Sequence, residues 1–168
     1  RCRPLCHYWD MRVHRLKASA WVPASIDRVF PFFCEVLNLQ RITPPELDFR
    51  IVTPLPISIR KGTTVDYRLH LFRLPFGWRS EITRWEPPLV FVDEQVSGPY
   101  RLWAHTHTFR VQGEGTVIED EVAYRLPFCP LGEIAYPLVR VQLRRIFRYR
   151  QRMIGRLLLG DETAVSQA

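Results

Sequence analysis

"LVFVDEQVSGPYRLWAHTHTFRVQGEGTVIEDEVAYRL", residues 89–126, holds the reading that decides the fold. Its middle run alternates with period two. Trp103, His105, His107, Phe109 and Val111 share one face of a strand, and Leu102, Ala104, Thr106, Thr108 and Arg110 share the other. "SGP" and "GEG" separate this run from its neighbours, and both are turn-type connections. Three strands joined by links this short form an antiparallel meander. Two histidines stand between a tryptophan and a phenylalanine on the more apolar face, which is the question the rest of the chain has to answer.

Working outward, the strand pattern extends upstream. "VDYRLHLF" (65–72) places Val65, Tyr67, Leu69 and Leu71 on one face, and "GWRSEITRWE" (77–86) and "LDFRIVT" (47–53) read as further strands. "VHRLKASAWV" (13–22) is the first strand, with Val13, Leu16, Ala18, Ala20 and Val22 as its apolar members and a slip of phase near Val13. Between it and the meander, "PASIDRVFPFFCEV" predicts a short helix with Ser25 as N-cap and Asp27 near the positive helix end. Pro31 limits its length. A second short helix is expected from about Glu35 to Arg41, stopped by "TPPE".

Downstream, residues 131–159 predict one long helix. Val139, Leu143, Ile146, Met153 and Leu157 approximate an apolar stripe, flanked by Phe147, Ile154 and Leu158. Arg140, Arg144, Arg148 and Arg152 recur on another face, and Gly160 is a reasonable stop. The expected class is α+β: a curved antiparallel sheet of about seven strands wrapped around a long C-terminal helix, with two short helices after the first strand. A helix laid over a twisted sheet encloses a volume that side chains either fill or leave as a cavity.

The chain has 168 residues, 46% hydrophobic and 24% charged, which suits one packed domain rather than disorder. The expected organisation is an extension at 1–10 with translation starting at Met11, a single domain over 11–160, and a tail over 161–168. No apolar run approaches the ~20 residues of a membrane-spanning helix, and a cytoplasmic location is expected. The net charge of +7 rests almost wholly on arginine, since Lys17 and Lys61 are the only lysines. Nucleic acid is not an expected partner, and a dimer is compatible with the sequence. Cys2, Cys6 and His7 form half a metal site without a second pair, while Cys34 and Cys129 read as small core residues. "GEG" lacks the following Lys and Ser/Thr of a phosphate loop, and Ser80, Ser97 and Cys129 lack a nucleophile motif.

The element order resembles the helix-grip fold of the START, pollen-allergen and polyketide-cyclase superfamily, known as SRPBCC. The phrases that carry the likeness are "ASIDRVFPFFCEVLNLQRITPPELDFRI", "FVDEQVSGPYRLWAHTHTF", "VIEDEVAYRLPFCPLG" and "LRRIFRYRQRM". They are similar to a bacterial ligand-binding branch related to a domain labelled cell-division inhibitor. The resemblance spans nearly the whole chain from Met11, and Trp-x-His-x-His-x-Phe is its most specific phrase. It implies a cavity for a small hydrophobic ligand under the long helix, with no cofactor.

Within that frame, Trp103, His105, His107 and Phe109 are candidates for the cavity wall. On the following strand Ile118, Val122, Tyr124 and Leu126 share the inward parity, and Asp120 shares it too. Phe91 and Gln95 are placed inward on the preceding strand, and Tyr67 comes from its own strand. The candidate ligand-binding set is thus Tyr67, Phe91, Gln95, Trp103, His105, His107, Phe109 and Tyr124. Three readings of the histidines stay open: ligand contacts in a cavity, satisfied groups in a filled core, or solvent-facing residues of a strand one register off. As acid or base they would be set by Asp120. His-x-His with Asp120 or Asp93 could also bind a metal, though no metal is expected. A third role, regulation of a macromolecular partner through the basic helix, also remains.

Overall fold

The computed structural model describes residues 12–128 and 131–160. The proposed extension 1–10 with Cys2, Cys6 and His7, the residue Cys129, and the tail 161–168 lie outside the described residues. The described elements run β1 (His14–Val22), α1 (Ile26–Cys34), α2 (Val36–Arg41), a 3-10 turn (Pro45–Leu47), β2 (Arg50–Ile51), β3 (Thr64–Leu71), β4 (Leu74–Glu86), β5 (Val90–Ser97), β6 (Leu102–Gln112), β7 (Gly115–Arg125) and α3 (Leu131–Leu159).

The seven strands form one curved sheet in the order β1-β7-β6-β5-β4-β3-β2, antiparallel throughout. From β2 to β7 the meander follows the chain. Only β1 breaks sequence order, pairing beside β7, so α1 and α2 carry the chain from one edge of the sheet to the other.

Several local details depart from the sequence reading, each for a physical reason. His14, not Val13, takes the first inward position of β1, because Glu133 of α3 meets its imidazole at 3.0 Å and Tyr136 stacks on it. The expected strand 47–53 shrinks to Arg50–Ile51. Leu47 belongs to the 3-10 turn and Asp48 is left-handed, while Val52 and Thr53 both donate to the Asp66 carbonyl just before Pro54. Ser25 occupies the N-cap of α1 but its hydroxyl makes no capping bond. Glu35 caps α2 instead, its carboxylate accepting from the Leu37 N–H. Val111 shares the parity of Phe109 yet is 60% exposed, because β6 runs on past the core toward its turn. Gly160 ends α3 with φ +87 and an N–H donated to the Arg156 carbonyl, as its place predicts.

The core lies between the inner sheet face and the helices. At one end Phe30, Phe91, Phe109, Ile118, Met153 and Ile154 pack together. Leu16, Val122, Tyr124, Leu143 and Phe147 form a second cluster, and Leu47, Phe49, Leu69, Leu71 and Trp78 a third. The third cluster borders a hollow.

Candidate functional site

The hollow has a volume of about 180 Å³. Its floor is the inner face of β3 to β6: Val65, Tyr67, Leu69 and Leu71 from β3, Trp78, Ser80 and Ile82 from β4, Phe91 and Asp93 from β5, and Trp103, His105 and His107 from β6. Phe32, Phe33, Val36, Asn38 and Leu39 of the two short helices close one side, with Leu143, Ile146, Phe147 and Arg150 of α3 across it. Period-two alternation puts every other residue of each strand on this floor, and the helical spacing of Leu143, Phe147 and Arg150 aims them at it.

The polar groups gather on one wall. His105 and His107 are neighbours on β6, with ring centroids 3.8 Å apart. Asp93 lies opposite His105 on β5, and Asp120 opposite His107 on β7, so strand register alone alternates carboxylates and imidazoles. His105 donates from Nε2 to Asp120 Oδ1 at 2.8 Å. His107 donates from Nε2 to Asp93 Oδ1 at 3.2 Å. Its Nδ1 lies 2.9 Å from Asp120 Oδ1, close enough for charge attraction but off the line of a hydrogen bond. His105 Nδ1 stands 3.6 Å from Asp93 Oδ1, beyond hydrogen-bond reach. Asp120 is sealed behind the histidines at 3% side-chain exposure, whereas Asp93 retains 19% and lines the cavity.

This packing assigns the charges. Burial opposes ionisation of Asp120, but the two imidazoles outweigh it and hold the carboxyl well below its ordinary range. Asp93 is likewise held low, burial being overcome by His107, His105 and Arg150. Burial also works against charge on His107, yet its two carboxylate neighbours raise its pKa above the ordinary value, so His107 is the more readily protonated of the pair. Burial first, and then the charge of His107, pushes His105 below the ordinary value. His105 is therefore neutral, with its proton on Nε2 facing Asp120 and a lone pair on Nδ1.

Tyr67, Ser80 and Arg150 add further polar groups to the lining of the hollow. Tyr67 and Ser80 share a hydrogen bond of 2.6 Å, and burial followed by the charge of Asp93 raises the Tyr67 phenol, which stays neutral. Arg150 lies over the Phe33 ring at 5.8 Å, and its buried Nε has no hydrogen-bond partner.

Of the residues singled out by sequence, Tyr67, Phe91, Trp103, His105 and His107 line this cavity. Phe109 lies behind it, against Phe30 and Phe33. Tyr124 is buried beneath α3 with Leu16 and Leu143, its phenol pushed up to about 12 by burial. Gln95 points inward but spends both ends of its amide on the backbone of Tyr100, bracing the β5–β6 turn. Asp120 touches the histidines, not the hollow. Trp78 escaped the sequence reading, and Ser80 entered it only as a serine lacking a nucleophile motif, although both share period-two parity with Ile82. Arg150 also escaped it, despite standing three and seven residues beyond Phe147 and Leu143 on the apolar stripe.

Asp93, His105 and His107 bring three donor atoms within 4.8 Å of one another, the one such grouping among the described residues. A divalent cation there would need both imidazoles neutral. A cation bound there would displace the proton that the two carboxylates flanking His107 favour on its ring.

No family model matches the chain, and no curated protein does. Solved structures do match in fold. The Zhui aromatase/cyclase from Streptomyces sp. R1128 aligns with a TM-score of 0.72 at 13% identity, over 94% of this chain and all 100% of that one. The protein TTHA0849 from Thermus thermophilus aligns at 0.70 and 18% identity, covering 89% and 99% of the two chains. A START superfamily protein from Mycobacterium smegmatis aligns at 0.64 and 10% identity, covering 86% and 99%. The chain therefore has the helix-grip fold, and the resemblance read from its sequence holds at the level of architecture. No described helix is long and apolar enough to cross a membrane.

Proposed function

We propose that the protein binds a small, mostly apolar molecule carrying one oxygen function, held between the sheet and α3. The observation that carries this reading is the about 180 Å³ hollow with aromatic and aliphatic walls and one polar wall, Asp93–His105–His107. Cavities of ~150 Å³ lined by apolar side chains take up benzene. A one- or two-ring molecule fits this scale, with Trp78, Trp103 and Phe147 as walls and His105 or Tyr67 as the polar anchor. Native mass spectrometry of freshly purified protein tests for a carried molecule. A defined probe is 2-naphthol, whose own fluorescence reports transfer into an apolar site. One mole should bind per mole of chain, more tightly than naphthalene, and Leu69→Trp should block the site. Binding unaffected by Leu69→Trp would place the probe elsewhere and end the cavity reading.

A second reading is supported by one specific observation. The Nε2 of His105 lies 2.8 Å from Asp120 Oδ1, burial and the charge of His107 favour its neutral form, and its other nitrogen belongs to a residue of the cavity wall. That is the arrangement of a general base. It would take a proton from the carbon next to a bound carbonyl, leaving an enolate and an imidazolium, the opening step of a cyclase- or dehydratase-like reaction. The assay is loss of the α-proton NMR signal of 2-tetralone in heavy water. His105→Gln should stop catalysed exchange while retaining ketone affinity. If exchange in the parent protein runs no faster than in buffer, the chain is a binder alone.

A further inference from the structure

We propose that the outer face of α3 docks the protein on an anionic membrane surface. Solvent-facing positions of a helix recur at steps of three and four residues. On α3 the first such positions are Leu131, Ile134, Leu138 and Val141, which are 69%, 75%, 59% and 65% exposed. The same steps continue to Arg145, Arg148, Arg152 and Arg156, all exposed. One stripe thus changes from aliphatic to cationic along the helix, with exposed Arg140 and Arg144 beside it. Single exposed leucines are ordinary, but four aliphatic residues on successive turns of one face make a patch.

The pairing of the two halves selects the occupant. Aliphatic side chains enter the acyl boundary of a bilayer while neighbouring guanidiniums meet lipid phosphates. Nucleic acid would engage the arginines and leave the aliphatic turns in water. Arg145 also reaches Glu46 at 2.6 Å, yet its side chain stays 64% exposed and available to a headgroup. The net charge of +7 has the sign that draws the chain to such a surface. The inner face of the same helix supplies Leu143, Ile146 and Phe147 to the cavity, so an apolar cargo would sit one helix away from the bilayer. The docking face stands on its own residues and does not require the ligand reading.

The test is co-sedimentation of the full chain with phosphatidylcholine vesicles, with and without phosphatidylglycerol. Binding is expected only with the anionic lipid and should weaken as salt rises. Each basic residue near such a surface is worth roughly a fivefold gain in affinity, so Arg148→Glu with Arg152→Glu should weaken binding by at least about thirtyfold. Ile134→Asp with Leu138→Asp should abolish it separately. Uptake of 2-naphthol by both variants should match the parent, which keeps failure of docking distinct from failure of the cavity. Absence of anionic-vesicle binding overturns the proposal, as does binding that either variant leaves intact. A dimer dissolved by Ile134→Asp with Leu138→Asp, in a chain that ignores vesicles, would assign the face to a second copy instead.

Discussion

The two ends of the inner sheet face obey the same alternation and end differently. At the β6–β7 end, Phe109 meets Phe30 at 5.4 Å and Phe33 at 5.0 Å, and Ile118, Met153 and Ile154 complete a solid core. At the β3–β4 end, Tyr67, Leu69 and Trp78 are equally large, yet they border open volume. The difference is in what lies above them. α1 packs against β6 and β7 and brings its phenylalanines down, whereas over β3 and β4 the hollow separates the floor from α2 and α3. The three titratable groups of the polar wall, with Asp120 behind them, stand where filled and hollow regions meet. Asp120 faces the packed side and Asp93 the open one. A hollow of this kind is a place where stability has been given up for room, so the two ends should lose unequal amounts of stability on mutation.

The largest contrast is expected from truncation. Phe109→Ala should cost about 3–5 kcal/mol, because the surrounding rings cannot collapse into the space. Urea unfolding measures this, and a loss below about 1 kcal/mol would mean that the filled end is loosely packed. Next come the two carboxylates. Asp120→Asn leaves a buried imidazolium facing a neutral amide and should cost about 3 kcal/mol. Asp93→Asn, partly exposed to the cavity, should cost less. Equal losses would erase the distinction between a sealed and an open carboxylate.

Protonation sharpens the comparison further. In a side-chain nitrogen NMR titration, His107 should lose its charge above pH 6.5 and His105 below it. The sign follows for stability. His107 has a raised folded value, so its contribution is complete below the unfolded value and disappears as pH climbs through the folded one. Asp93 and Asp120 have depressed values, so theirs is present above the ordinary carboxylate range and is lost as pH falls through their folded values. Stability should therefore peak between these windows, and His107→Gln should flatten the alkaline side. The smallest expected change is Tyr67→Phe at the hollow end, about 1 kcal/mol, because a single neutral hydrogen bond to Ser80 is lost. Weaker 2-naphthol binding with little loss of stability would mark Tyr67 as a ligand contact.

Much of this was legible because short-range rules leave few choices. Once "SGP" and "GEG" fix antiparallel pairing, the parity of residues 102–112 and 115–125 places His105, His107 and Asp120 on one face. Asp93 shares that face through the parity of Phe91, but alternation between two half-apolar faces of β5 does not by itself choose between them. Gln95 illustrates the limit. Its inward parity was readable, but its service to the Tyr100 backbone depended on the shape of a turn. His14 is another such case, since its burial depends on Glu133, 119 residues away.

Local periodicity and turn chemistry, then, were sufficient to set the element order, the consecutive pairing from β3 to β7 and the inward faces of β3, β6 and β7, because these depend on neighbours a few residues apart. Tertiary packing decided which inward residues meet empty space, which imidazole carries the charge, and that Arg150 joins the wall while Phe109 and Tyr124 stand behind it. Those outcomes depend on the distance between sheet and helix and on burial in common, quantities that no stretch of sequence contains.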